Sequence, residues 1–214
     1  LPPPPPPGPP PPRRPATNDS IRSARRFYSA SCHWRRKSIA SLSAVALRVP
    51  EGADREARVR QVLHVIYLVY NEGHTATEGG ELIRTDLTAE AVRLARLAHA
   101  ALPDEPEAAG LLALLLLSDA RRDARTDPTD GAVVPLDEQD RTRWDRAMIT
   151  EGLQVLTAAL GHHRMGQYQL LGSIAALHDQ APTWADTDWL RIDSLYRLLE
   201  ATTDNPHVTL SRAV

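Results

Sequence analysis

Hydrophobic positions along the chain follow a helical period from about residue 50 onward. The densest stretch is Val62–Tyr70, where Val62, Leu63, Val65, Ile66, Tyr67, Leu68, Val69 and Tyr70 form a nearly continuous apolar run broken by His64. It is too short for a bilayer, which takes about 20 residues. The run predicts a buried helix, apolar almost all round and covered on most faces, ending at Gly73 as a left-handed cap. Residues 74–86 read as a loop around Gly79-Gly80. Thr88 is the expected N-cap of a second helix, with Ala91, Leu94, Ala95, Leu97, Ala98 and Leu102 on its apolar face. After the break at Pro103 and Pro106, Glu107–Arg125 predicts a third helix carrying the run Leu111–Leu117. These two helices make a hairpin.

Further helices are expected at Ile149–Leu160, Gln167–Asp179 and Asp186–Leu199, and another opens at Asn205-Pro206. Residues 126–136 read as a loop, and Asp137–Trp144 as a short charged helix. Helix starts near 148 and 187 lie about 39 residues apart, between the 34 of a tetratricopeptide unit and the 40–47 of armadillo and HEAT units. The expected fold is all-α: stacked antiparallel helix pairs of tetratricopeptide-like type, with residues 126–146 inserted between the first pair and the second. Such stacks present curved faces suited to binding.

Residues 1–48 break this pattern. Residues 1–16 are a proline tract, which has no route to a helix or a central strand. Its composition favours a disordered extension over a polyproline ligand for an aromatic groove. Arg22, Arg25, Arg26, Arg35, Arg36 and Lys37 are interleaved with Phe27, Tyr28 and Trp34, in the manner of a nucleic-acid-binding arm. No helix-turn-helix pattern accompanies them, so an unstructured solvated stretch is the preferred reading. The charge separates along the chain. Residues 1–50 hold nine Arg/Lys against one acid, a charge of +8; residues 51–214 hold sixteen Arg against 26 acids, a charge of −10. Lys37 is the single lysine, which points to a GC-rich coding sequence.

The 214 residues make one domain with a tail. A single cysteine, Cys32, excludes an internal disulfide and a cysteine metal cluster. No signal-peptide or membrane-spanning pattern occurs, so the expected location is the cytoplasm. The chain starts at Leu1 and stops inside a helical pattern, which reads as a fragment truncated at its C-terminus.

Polar residues gather at two places. Asp119, Arg121, Arg122 and Arg125 close the third helix, and Asp137, Asp140, Arg141 and Trp144 follow the inserted loop. Asp119 and Arg122 share a helix face at i,i+3, as do Asp137 and Asp140. Together with Asn71 and Glu72 they form the candidate interaction or structural network. One reading is an Asp/Arg network pinning the insert to the first hairpin. The other is a partner-binding patch with Trp144 as its anchor. Glu72 and His74 lack a metal or acid–base spacing, the rings of His162-His163 diverge, and Ser118 has no nucleophile context. No catalytic, cofactor or metal site is expected, and the chain is read as not being an enzyme.

A series of motifs in fixed order carries a family resemblance. It runs from Tyr67-Leu68-Val69-Tyr70-Asn71-Glu72-Gly73-His74 through Leu87–Leu94, Leu102–Glu107 and Gly110–Leu114. It continues through Asp119-Ala120-Arg121-Arg122, Asp137–Asp145, Tyr168-Gln169-Leu170, Ile174–His178 and Thr187-Asp188-Trp189, and ends in Asn205-Pro206 and Leu210–Val214. This resembles the C-terminal helical extension of a subgroup of bacterial extracytoplasmic-function RNA polymerase sigma factors, over residues 49–214. The resemblance implies a regulatory or protein-interaction domain of a protein acting in transcription initiation. Its implied partners are the RNA polymerase core and promoter DNA, engaged through sigma regions of the full-length protein, and a protein or peptide for the helical domain. Residues 1–48 resemble neither sigma region. A proline tract beside so abrupt a match is the pattern expected of translation in another frame or a misassigned start. His74 stands where an aromatic is usual, and Ser211 where Asn is usual. The alternative is a stand-alone helical-repeat scaffold.

Overall fold

A computed structural model of the chain describes residues 51–74, 84–129, 131–203 and 206–213. The expectations for residues 1–48 and for the Gly79-Gly80 loop lie outside the described residues. The fold is all-α. Among the described residues seven α-helices follow one another: α1 (Gly52–His74), α2 (Thr85–Ala101), α3 (Pro106–Asp119), α4 (Arg146–Leu160), α5 (Gln167–Gln180), α6 (Trp189–Thr202) and α7 (Pro206–Ala213). Two 3-10 turns, Arg122–Ala124 and Arg141–Arg143, lie in the segment between α3 and α4. That segment also holds an isolated antiparallel bridge between Thr126 and Val133.

The central helix is α3. Of its fourteen residues, all but Glu107 and Ser118 are buried. It packs against α2, α4 and α5, and touches α1. A helix apolar on every side is stable only when covered on every side, and Leu111–Leu117 meets that condition. Each buried leucine contributes about 1.5–3 kcal/mol relative to an exposed one. Gly110 sets the crossing with α5: a Cβ there would stand 2.8 Å from the backbone nitrogen of Gln169. A smaller cluster of Leu170, Leu199 and Val208 joins α5, α6 and α7. The helices therefore stack in pairs around α3, as expected. The starts of α4 and α6, Arg146 and Trp189, lie 43 residues apart, a spacing in the armadillo/HEAT range.

Several expectations are corrected. The run Val62–Tyr70 is not covered on most faces. Leu63, Ile66, Tyr70 and Gly73 face inward, while Val62, Val65 and Leu68 are about half exposed. Spacings of three and four residues put the first set on one stripe and the second on another, turned away from the core. Gly73 is not a left-handed cap but a buried helical residue. A Cβ there would stand 2.7 Å from the Thr88 backbone nitrogen and 2.9 Å from the Arg84 carbonyl oxygen, so α2 begins against it. Thr88 is not the N-cap: α2 starts at Thr85, and the buried Thr88 hydroxyl donates to the Thr85 carbonyl. The third helix stops at Asp119 rather than Arg125, and the segment 137–144 is helical only in its 3-10 turn.

Removing a side chain from the covered helix and from the open face should separate these two environments. Leu115→Ala should lower stability by about 2–5 kcal/mol, because Leu115 is wholly buried. Val65→Ala should change it by less than about 0.5 kcal/mol. Urea unfolding of both variants measures the difference.

Candidate functional site

The polar residues singled out above collect at the ends of α1, α3 and α5 and in the segment joining α3 to α4. They form two clusters. In the first, the buried Asp119 carboxylate accepts from Arg122, at 3.0 Å from Nε and again from Nη2. The i,i+3 spacing places both on one helix face, as the pattern implies. Beside them, Arg125 Nη1 donates to His74 Nε2. Arginine has only donors, so Nδ1 of the neutral ring carries the proton and faces the Tyr70 hydroxyl at 3.2 Å. The Tyr70 and His74 rings stack with centres 5.1 Å apart. Burial, with help from Arg125, Arg121 and Arg122, pushes the His74 pKa down to about 3, so the ring is neutral at pH 7. Burial and the nearby Asp119 charge raise the Tyr70 pKa. This cluster ties the end of α1 to the turn that follows α3.

The second cluster ties α3 to α5. Arg121 Nε stands 3.5 Å from Asp179, whose side chain is wholly buried. Among the described residues none donates a hydrogen bond to either Asp179 oxygen. Burial raises its pKa to about 6 against the opposing pull of Arg121, Arg141 and Arg146. Arg141 Nη1 donates to the carbonyls of His178 and Ala181, at 2.7 and 2.8 Å. A helix leaves its last carbonyls without intrahelical donors, and a guanidinium from 37 residues upstream supplies one for the end of α5. The same guanidinium lies 4.5 Å from the Trp144 ring centre, with that of Arg121 at 6.0 Å on the indole. Trp144 is buried. Burial and the Arg121 and Arg141 charges lower the His178 pKa to about 4.

Not every predicted residue joins these clusters. Asp140 makes no bridge to the first hairpin. It is exposed, and its carboxylate accepts from the backbone nitrogen and hydroxyl of Thr142 at 2.9 and 2.7 Å, capping its own 3-10 turn. Those bonds hold its carboxyl below the usual aspartate value. Asp137 is exposed, Asn71 is exposed, and Glu72 is half-buried with an interaction of its own. The insert is held by other means. The Asp145 backbone nitrogen donates to Ala120 O at 2.9 Å, and the Val134 nitrogen to Arg125 O at 2.8 Å.

Three contributors escaped the sequence reading. Asp179 sits in the last turn of a helix, where an acid opposes the macrodipole; that mismatch was a signal that cations lie near. His178 forms part of the aromatic contacts with Trp184 and Trp189. Glu107 accepts from the backbone nitrogens of Tyr168 and Gln169 at 2.9 and 3.1 Å, capping α5 from α3. No local pattern marks a cap supplied from 61 residues away. Among the described residues no group of three or more His, Cys, Asp or Glu is placed to hold a metal, and no helix is long and apolar enough to cross a membrane.

Comparison with known proteins gives two matches. Residues 58–160 match a family of unknown function (DUF6596). An uncharacterized protein of Rhizobium meliloti (strain 1021) is 46% identical over 180 residues, which is 84% of this chain and 42% of that protein. The chain thus spans about two fifths of the relative's length. No solved structure matches. The first cluster, Arg121, Arg141 and Trp144 fall inside the family match; His178 and Asp179 fall outside it.

The buried carboxylate should show in the pH dependence of stability. Asp179 has a folded pKa above its ordinary value, so the folded state binds the proton more tightly. Its contribution is present at low pH and lost as pH rises from about 4 to about 6. His74 and His178 act with the opposite sign, because their folded pKa values lie below the ordinary one; their contribution is lost as pH falls from about 6.5. Asp179→Asn should therefore be more stable than the wild type at pH 7, by on the order of 1–3 kcal/mol, and about equal to it near pH 4. Denaturation curves at half-unit pH steps would show the gap opening. Parallel curves would place Asp179 in solvent.

Proposed function

We propose that residues 49–214 are the regulatory, protein-interaction part of an extracytoplasmic-function RNA polymerase sigma factor, a non-catalytic domain acting in transcription initiation in the cytoplasm. The observation that carries this reading is the ordered motif series from Tyr67–His74 to Leu210–Val214. The stacked helical fold agrees with what that resemblance implies. The family match covers the Tyr67–His74, Asp119–Arg122 and Asp137–Asp145 motifs. More than half of the Rhizobium relative lies outside the alignment, enough length for further regions. In such a protein the RNA polymerase core and promoter DNA are engaged by the sigma regions, and this domain meets a protein or peptide. Its two clusters fix α1, α3 and α5 relative to one another, which suits a rigid platform.

A stand-alone binding scaffold is the second reading, favoured by one observation. Val62, Val65 and Leu68 expose 48%, 58% and 50% of their surface on one face of α1. Contiguous apolar exposure of this kind marks an interaction face.

Alone, this chain should neither select a promoter nor direct transcription, because sequence-specific reading needs an element seated in a groove. It should bind DNA weakly, without sequence preference and with strong salt dependence, through the nine basic residues of residues 1–50. Deleting residues 1–48 should abolish that binding. Titrations with promoter and scrambled duplexes at two salt concentrations, paired with run-off transcription on core polymerase, measure both. A full-length protein with both sigma regions should initiate transcription, and removing its counterpart of residues 49–214 should alter that activity. Unchanged activity would leave the scaffold reading in its place.

A further inference from the structure

A cavity of about 580 Å³ opens between the insert, the end of α5, α6 and α7. Four rings, Trp184, Trp189, Tyr196 and His178, line it beside aliphatic and charged side chains. The Trp184 and Trp189 rings stand edge to face with centres 4.5 Å apart. His178 stacks on Trp184 at 6.2 Å and meets Trp189 edge-on at 5.5 Å. Two of the chain's four tryptophans are gathered here, and each keeps about two fifths of its surface open. Folding alone would favour covering them.

The charges around the cavity are unequal in what they have left to offer. Arg212 is held between Asp193, at 3.2 Å, and Glu200. Asp193 also pairs with Arg197 at 2.9 Å. Among the described residues no cation pairs with Asp137, which is exposed and lines the cavity. An aromatic-lined cavity with a carboxylate among its lining residues suits a cation on an apolar stem. Ring faces attract the charge, and the methylenes bury against the indoles. The chain already uses this geometry at Trp144, where the Arg141 guanidinium lies 4.5 Å from the ring centre. His178 is neutral at pH 7 and does not oppose a cation. The charge of −10 over residues 51–214 favours the approach of a basic segment. The volume is that of a site for a few residues rather than a single ion.

We propose that this cavity binds a basic side chain, arginine foremost, presented by a segment of a partner protein. The inference does not rest on the transcriptional reading, since a sigma-factor domain and a stand-alone scaffold would use the site alike.

The test is a titration of the full chain with the capped tripeptide Gly-Arg-Gly, against Gly-Leu-Gly and Gly-Glu-Gly. The readout is the indole N–H resonances of Trp184 and Trp189, assigned with Trp184→Phe and Trp189→Phe. The arginine peptide should shift both resonances saturably. The leucine peptide should bind about tenfold more weakly, and the glutamate peptide should cause no shift. Asp137→Asn, an exposed change that leaves the packing intact, should weaken arginine binding severalfold at low salt while the rest of the spectrum stays unchanged. Equal shifts with the leucine peptide, insensitivity to Asp137→Asn, or no movement at the highest peptide concentration would each overturn the proposal. Run-off transcription reads the sigma-factor assignment separately, so either can fail without the other.

Discussion

The fold depends on covering one helix. Between Pro106 and Asp119 the chain offers almost no polar side chain, and Leu111–Leu117 has no face to give to water. Every neighbour is arranged to supply that cover. α2 lies on one side, α4 and α5 on others, and α1 closes what remains with Leu63, Ile66 and Tyr70. Close approach is bought with glycine at the crossings: Gly110 against Gln169, and Gly152 against Leu117. The short loops and N-caps then follow. Glu105 begins α3, Asp145 begins α4 and Asp188 begins α6, each accepting from backbone nitrogens of the first turn.

An apolar central helix ends in polar groups, and those groups set the functional surface. The last turn of α3 brings Asp119, and the residues after it bring Arg121, Arg122 and Arg125, all within reach of the ends of α1 and α5. Burying charges is tolerated only when each is paired or hydrogen-bonded. Arg122 answers Asp119, and Arg121 partly answers Asp179. Arg125 has a neutral histidine, which accepts its hydrogen bond without adding charge. Arg141 meets carbonyls rather than a carboxylate and rests on Trp144. The outcome is an insert held to the body by guanidinium contacts with backbone and indole, and by two backbone hydrogen bonds.

What could be read from the sequence divides along physical lines. Leu111–Leu117 announces a buried helix by composition alone, and helix periods fix the order of the elements from α3 to α7. The run Val62–Tyr70 misleads because its content of apolar residues is high, while its phase shows that only Leu63, Ile66 and Tyr70 share the inward stripe. The Asp119–Arg122 pair is local and legible. Arg121–Asp179 spans 58 residues, and nothing near either residue names the other. Asp140 is drawn to the wrong partner when charges alone are matched, because the nearby Thr142 satisfies its carboxylate first. Local bonding competes ahead of distant pairing. The cavity between α6, α7 and the insert is illegible for the same reason: Asp137 and Trp189 become neighbours of one space only after α5 and α6 have packed.

Native-state hydrogen exchange tests the central claim most directly, because it reports which amides open together. If the covered α3 carries the fold and the guanidinium contacts clasp the insert to it, amides of residues 111–118 should exchange only by global unfolding. The Val134 and Asp145 amides, bonded to Arg125 and Ala120, should open in one step with the end of α5. Exchange in 111–118 as fast as on the outer face of α1, or an insert that opens well before the end of α5, would contradict it.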